Sequence, residues 1–469
     1  MVERRSVAAD VAGSIPVTHP ISTTNCIGVP PTNHIEKRQH RLSFFAFYLI
    51  FVLTSGTPTD TAQRTNTVRI QTPNGTAGYN HPLIETRPYV VLLSFDGFRP
   101  DYLDRFNTPH FDRLATTGIS AKAFVSVFPS LTFPVHYSIA TGMHPQAHGI
   151  VGNRFFDPDR GEHFSYRDRA TVQDGTWWQG EPIWVTAETQ GMVTGAFFFP
   201  GTEAAIRGIR PTYWKPYDEQ VPNTDRIQQA LAWLSLPVHQ RPHLVTLYFS
   251  LVDSAGHNIG PDSPEMQHSV EQADELLGQL ITGINSLGHA KQVAVVVVSD
   301  HGMATPNANQ FTLLPQAINL STVRTIPVGP MMALHTGNRT RSLQLRDELN
   351  DSLDNARAYL RENIPAHLHH RSNRRIGDIV VIPEGTGMVR STSNASVPAG
   401  MHGWDPTSKN MHGVFMASGP GLRPGTVLPE VHSIDVYPFL STLLGLEAHQ
   451  AVSGDVAVFE SALTSPNLP

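Results

Sequence analysis

Cysteine is nearly missing from this chain: one residue, Cys26, in 469. It falls inside an N-terminal segment expected to be absent from the mature protein, so the body carries no disulfide and is not a disulfide-stapled scaffold. Charge is also sparse, at 16% of residues, and the net charge of −6 comes with no basic stripe. Specific nucleic-acid binding is therefore not expected. Long hydrophobic runs are missing too. The run FFAFYLIFVL at residues 44 to 53 follows Lys37, Arg38 and Arg41 and has the size of a signal peptide, too short for a stable membrane span. Its position some forty residues in predicts either a functional start downstream of Met1 or a disordered extension ahead of a short signal anchor. No internal repeat or low-complexity run is present, which excludes solenoids and fibrous chains. Three regions result: residues 1–55 with the signal-like run, a Thr, Pro, Gly and Asn-rich flexible leader over 56–87, and the body of the chain over 88–460.

The sequence does hold short, fully apolar runs that end in acids. VVLLSFDG (residues 90 to 97) and VAVVVVSDHG (293 to 302) are β-branched or aliphatic throughout until Asp96 and Asp300. Such runs form strands buried on both faces of a parallel sheet. In an open α/β sheet the carboxyl ends of the strands form the binding crevice, so Asp96, Asp300 and His301 are expected to converge there. A third strand, spanning 243 to 257, is expected to deliver Asp253 and His257, and a Pro-Gly loop delivers His402. A lone aspartate at a strand end is ordinarily a cap or a turn residue. Three Asp and three His in this order point instead to two metal sites, Asp96/Asp300/His301 and Asp253/His257/His402. Mixed oxygen and nitrogen ligands suit zinc, with Mn or Fe possible on ligand type alone.

Helical periodicity over 225–236, 263–287 and 343–363 alternates with the strands, as βαβ units do. The fold class is α/β, a doubly wound, mostly parallel sheet with inserted cap and lid segments. Residues 150 to 242 are expected to supply substrate-side insertions, and residues 304 to 400 a smaller helix-strand lid.

The stretches FDGFRPDYL (95 to 103), VFPSLTFPVHYSIATGMHPQAHGIVGN (127 to 153), GEPIWVTAE (180 to 188), FPGTEAAIRGIRPTYWKPYD (199 to 218), VDSAGHNIGP (252 to 261), VSDHGM (298 to 303) and MHGWDP (401 to 406) resemble the nucleotide pyrophosphatase/phosphodiesterase family of the alkaline phosphatase superfamily. The resemblance runs in family order over roughly residues 88 to 460. It implies an alkaline-phosphatase-type sheet, two zinc ions on the sets above, and Thr132 of TFPVH as a metal-activated nucleophile. A covalent threonyl intermediate forms and water then hydrolyses it. Pro134 favours the first turn of a helix, which places Thr132 at a helix N-terminus suited to a phosphoryl group. Asn153 matches the asparagine that contacts a nonbridging oxygen, with the Thr132 backbone N–H beside it. Val135 departs from the family's usual Asn.

Substrate class rests on a second set of residues. Phe133, Phe199 and Tyr217, with Pro200 and Glu203 nearby, match positions that hold the base in nucleotide-binding members. A stacking ring tolerates any base. The implied activity is hydrolysis of phosphodiester or pyrophosphate bonds in nucleotides, releasing nucleoside 5′-monophosphates. A phospholipid or glycerophosphocholine phosphodiesterase with the same metals is the alternative. A sulfatase would need Cys or Ser in a C/S-x-P-x-R motif, and a phosphomonoesterase an Arg-type clamp; neither is found around Thr132. With its cysteine-free body the chain looks like a compact exported enzyme, periplasmic or secreted.

Overall fold

The computed structural model describes residues 78–392 and 397–464, so the signal-like run at 44–53, Cys26 and most of the leader lie outside the described residues. Twelve strands matter for the site. They are β1 (Tyr89–Phe95), β2 (Ile119–Ala121), β3 (Thr194–Phe197), β4 (Tyr213–Lys215), β5 (Leu244–Phe249), β6 (Val293–Val298), β7 (Arg324–Val328), β8 (Met331–His335), β9 (Ala356–Leu360), β10 (Ile379–Pro383), β11 (Phe415–Ser418) and β12 (Thr426–Leu428). Eight of them form one sheet in the order β12-β2-β11-β6-β1-β5-β3-β4. All its pairings are parallel except the two made by β11.

The apolar runs explain the layering. Successive side chains on a strand point to opposite faces. On β1, Val90 and Leu92 enter one core and Tyr89, Val91, Leu93 and Phe95 the other; on β6, Ala294, Val296 and Val298 oppose Val293, Val295 and Val297. Both faces must be covered, and they are. Helices α1 (Pro109–Thr117), α4 (Asn223–Leu234) and α6 (Met266–Asn285) bury Phe111, Trp233 and Leu277 on the second face. Helices α2 (Thr132–Thr141), α3 (Ile183–Thr189) and α8 (Val436–Leu444) bury Tyr137, Trp184 and Phe439 on the first. The doubly wound α/β sheet is thus as expected. Each fully buried Val, Leu or Phe contributes on the order of 1.5–3 kcal/mol of transfer free energy.

The smaller helix-strand unit expected over 304–400 also forms. Strands β7, β8, β10 and β9 make a four-stranded antiparallel sheet against α7 (Arg339–Asn350), around their own core of Leu334, Leu345, Leu349 and Val381.

Three sequence expectations need correction. The strand expected over 243–257 ends at Phe249, and Asp253 and His257 lie on a helix, α5 (Leu251–Ile259). The helix expected to reach 363 stops at Asn350. The Asn350 side chain exchanges two hydrogen bonds with the backbone of Ala358, at 2.9 and 3.0 Å, and so fastens the helix end to β9 instead of continuing the turn. Finally, residues 150–242 are not only insertions. They supply β3 and β4 to the main sheet, strands of four and three residues that are too short to signal themselves by periodicity.

Candidate active site

Register places the acids. In the pairing of β1 with β6 and β5, Ser94 lies opposite Val298 and Phe95 opposite Phe249, so the three strands end together. The backbone then stitches the ends: Asp96 N–H donates to Phe249 O at 2.9 Å and Asp253 N–H to Asp96 O at 3.0 Å. Gly97 follows with φ +70°, and a Cβ there would lie 2.8 Å from Asp253 Cα. Only glycine lets the β1 and α5 ends approach so closely. Gly97 N–H also donates to Asp300 Oδ1 at 3.2 Å.

On α5, Asp253 and His257 are four residues apart and share a helix face. His257 Nε2 lies 3.5 Å from Asp253 Oδ1, and His402 Nε2 lies 3.6 Å from that oxygen and 3.2 Å from His257 Nε2. In the other set His301 Nε2 lies 3.4 Å from Asp96 Oδ1 and 3.0 Å from Asp300 Oδ2. The two sets expected from sequence are therefore brought together, each with its ligand atoms within 4.8 Å of one another.

The chemistry of these donors fits cations. Asp96 Oδ1, Asp253 Oδ1, Asp300 Oδ2 and His301 Nε2 are buried, yet none has a hydrogen-bond partner. Asp96 and Asp300 each keep a partner on the other oxygen, the Tyr248 hydroxyl and the Gly97 N–H, and leaving the inward oxygens buried without one is costly, a cost that a bound cation would offset. Burial, then the Asp300 and Asp253 charges, push Asp96 well above the usual carboxylate range, against the pull of the Tyr248 hydroxyl. Burial likewise raises Asp253. At Asp300 burial is outweighed by His301 and His136, and this acid is held well below its usual value. Burial, then His301 and His257, hold His402 well below the ordinary imidazole range.

The histidines are oriented for ligation. Nδ1 of His257 sits 2.8 Å from Gly400 O, that of His301 2.9 Å from Gly302 O, and that of His402 2.8 Å from Ser130 O. A carbonyl fixes the proton on Nδ1, so each Nε2 presents its lone pair inward.

Thr132 opens α2, as expected, and lines a cavity of about 810 Å³ with Asp96, Asn153, Asp253, His257 and His402. Asn153 Oδ1 accepts the Phe133 backbone N–H at 2.9 Å, which settles its amide orientation and leaves Nδ2 as its donor end. Val135 is fully buried in the core behind α2, so the departure from Asn bears on packing.

Two residues that sequence reasoning passed over support this cluster. Tyr248 donates its hydroxyl to Asp96 Oδ2 at 2.6 Å. His136 joins Ser94 Oγ at 2.8 Å through Nε2, and its Nδ1 lies 2.8 Å from Thr132 O and 3.3 Å from Asp300 Oδ2. Its position four residues after Thr132 was the available signal, since that spacing aims a side chain back at Thr132.

The same cavity takes in Phe133, Phe199, Pro200, Glu203 and Tyr217. Phe133 is half-buried and Tyr217 is 37% exposed. Phe199, by contrast, is almost wholly buried, with its ring edge-on to His136 and Trp184. The neighbouring Phe198, at φ +68°, instead brings its ring to 5.1 Å from Tyr217.

The profile of the type I phosphodiesterase / nucleotide pyrophosphatase family matches residues 90–405. This chain belongs to that family. By family it is a phosphodiester hydrolase. It is 34% identical over 374 residues to an uncharacterized pyrophosphatase/phosphodiesterase of Schizosaccharomyces pombe, covering 76% of this chain and 77% of that one. It is 32% identical over 369 residues to venom phosphodiesterase 2 of Crotalus adamanteus, of whose length the match spans 45%. Among solved structures, an inactive threonine-to-alanine variant of murine ectonucleotide pyrophosphatase / phosphodiesterase 5, in complex with AMP, superposes with a TM-score of 0.76. The two share 30% identity over 81% of this chain and all of that one.

Proposed function

We propose that this chain hydrolyses phosphodiester or pyrophosphate bonds in nucleotides and releases nucleoside 5′-monophosphates through a phosphate ester on Thr132. The observation that carries the proposal is the placement of Thr132 in one cavity with Asp96, Asp253, His257 and His402 and with the open rings of Phe133 and Tyr217, Asp96 being grouped in turn with the buried Asp300 and His301. The AMP complex of the murine relative, made with an inactive Thr→Ala variant, supports both the nucleotide and the threonine.

Asp96, Asp300 and His301 would hold one divalent cation, and Asp253, His257 and His402 a second, zinc being the first choice for such donors. When bound, a cation of this kind lowers the pKa of a coordinated hydroxyl and neutralises phosphoryl charge. Thr132 Oγ1 gives its proton to solvent and attacks phosphorus as the bond to the leaving oxygen breaks in line, and that oxygen departs as the anion or takes a proton back from solvent. Asn153 Nδ2 donates to a nonbridging oxygen where negative charge grows. Water then attacks the Thr132 ester and the Thr–O–P bond breaks, freeing the monophosphate and restoring the hydroxyl. Throughout, His136 holds the first turn of α2 through the Thr132 carbonyl, and Tyr248 fixes Asp96.

Export is part of the proposal, since a venom phosphodiesterase is among the similar proteins. The decisive assay combines metal analysis with turnover of p-nitrophenyl thymidine 5′-monophosphate. Nitrophenol release that tracks metal content supports the proposal; metal-loaded protein that leaves this ester intact overturns it.

A further inference from the structure

Glu203 is almost fully buried, at 4% exposure, although it faces the nucleotide cavity. Its carboxylate is fully used. Oε1 accepts from Arg169 Nη1 at 2.9 Å and from the Tyr217 backbone N–H at 2.8 Å. Oε2 accepts from Gln173 Nε2 at 3.1 Å and from Arg169 Nη2. Four donors occupy the four lone-pair sites of one carboxylate, which leaves none for a substrate.

Those donors come from two separate walls of the cavity. Arg169 and Gln173 stand on the short helix Arg169–Gln173, while Tyr217 lies in the loop after β4. Glu203 itself sits in the loop after β3, just beyond Phe198 at φ +68°. A phenylalanine held in the left-handed region costs of order 1–3 kcal/mol and persists only where the surroundings over-determine it. Here that turn presents the Phe198 ring to the Tyr217 ring, and Tyr248 flanks Tyr217 at 6.3 Å. Tyr217 is thus held by its backbone through Glu203 and by its ring through Phe198, with more than a third of its surface open.

We infer that Glu203 is a positioning residue for nucleotide binding: it touches no part of the substrate and acts by fixing the Tyr217 ring in the orientation a base stacks on. This inference rests on the nucleotide assignment proposed above. Pre-set rings bind more tightly because their ordering cost is met before the ligand arrives. The Glu203 carboxylate also holds the Arg169 guanidinium at the cavity wall, so that loss of the carboxylate releases both walls together.

A double-mutant cycle tests this. Glu203→Gln, Tyr217→Ala and the double variant are compared with the parent protein, metal-loaded, on p-nitrophenyl thymidine 5′-monophosphate and on bis(p-nitrophenyl) phosphate. The readout is the ratio of the two kcat/KM values. Glu203→Gln is expected to lower that ratio about tenfold, the low end of one stacking contact, with the change in KM. In the Tyr217→Ala background the same substitution is expected to lower it less than twofold, since there is no ring left to aim. Additive losses mean that Glu203 contacts the base itself and overturn the inference. An unchanged ratio in Glu203→Gln also overturns it. Parent protein that shows no preference for the nucleotide ester over the small diester is a different failure, that of the nucleotide assignment. Melting temperatures of all four proteins identify loss of fold, and Glu203→Asp, which keeps the charge, is expected to recover part of the ratio.

Discussion

The imidazoles of His301 and His402 stack with ring centroids 3.6 Å apart and planes 19° from parallel, although each ring belongs to a different ligand set. Two imidazolium ions could not sit face to face at that distance without strong repulsion. His301 turns Nε2 to Asp96 and Asp300 and His402 turns Nε2 to Asp253, each with Nδ1 secured on a carbonyl, so the stack joins the two ligand sets.

It follows that purified protein should hold about two divalent ions per chain and lose activity to chelators. Asp300→Asn is expected to remove one ion and to lower kcat by roughly a hundredfold or more, since each ion supplies several kcal/mol of charge stabilisation. Elemental analysis beside activity decides the matter. Full turnover with one ion or none would contradict the two-site arrangement.

Thr132→Ala is expected to abolish ester hydrolysis while leaving metal content and melting temperature nearly unchanged. A covalent nucleophile typically accounts for several orders of magnitude in rate, because the residues left behind only bind. Thr132→Ser keeps the hydroxyl and should retain part of the activity. Mass spectrometry of parent protein quenched during turnover should show the added phosphoryl ester on Thr132, and comparable rates for the Ala variant would rule out a covalent route.

Much of the site was legible in the sequence for a physical reason. Asp96, Asp300 and His301 follow strands buried on both faces, and such strands write themselves as unbroken Val and Leu runs whose ends must lie in the crevice. Asp253 and His257 do come together with His402 but on a helix and not a strand, because the single polar residue at the change, Ser250 at the helix N-cap, makes no side-chain capping bond and Leu251-Val252 continue the apolar run of the strand. Tyr248 and His136 were missed. They act through hydrogen bonds to Asp96 and Thr132 that exist only once β5 and α2 have packed. Phe199 and Phe198 are adjacent and identical in type, and only the backbone turn at φ +68° determines which ring meets Tyr217.

Stability should fall as the pH drops below about 6.5. Burial holds His148 and His370 at about 3 and His243 and His335 at about 4. These folded values lie below the unfolded value near 6.5, so the unfolded chain takes up protons first. The stabilisation they give is complete above pH 6.5 and is lost as pH falls toward 4 for His243 and His335 and toward 3 for His148 and His370. Each histidine adds a slope of at most about 1.4 kcal/mol per pH unit. His370 packs edge-on at 5.3 Å from Phe128, and His370→Leu should reduce the slope between pH 6 and 4.5 by up to about one proton. Urea unfolding at several pH values measures this. An equal slope in parent and variant would show that folded His370 takes up its proton in this window just as the unfolded chain does, and that burial does not depress it.

Substrate class comes down to the open rings. Phe133 is buttressed by Phe164, Tyr166 and Trp178 at 5.8 to 6.1 Å, and Tyr217 by Phe198 and Tyr248, so each presents a fixed face to the cavity. Stacking contributes on the order of 1–3 kcal/mol per base face, about a tenfold or greater loss when one ring is removed. Phe133→Ala and Tyr217→Ala should each raise KM for a nucleoside 5′-monophosphate diester by that factor and affect a small non-nucleotide diester much less. Phe199→Leu is expected to act differently. Its ring is buried against His136 and Trp184, so its loss should lower thermal stability and kcat together, without selectivity for the base. A choline or glycerol diester has no flat surface to offer these rings. Side-by-side kcat/KM values for a nucleotide diester and glycerophosphocholine therefore separate the two substrate classes: nucleotide preference that disappears in the Phe133 and Tyr217 variants is the expected result, and a choline preference in the parent protein would reassign the cavity to phospholipid head groups.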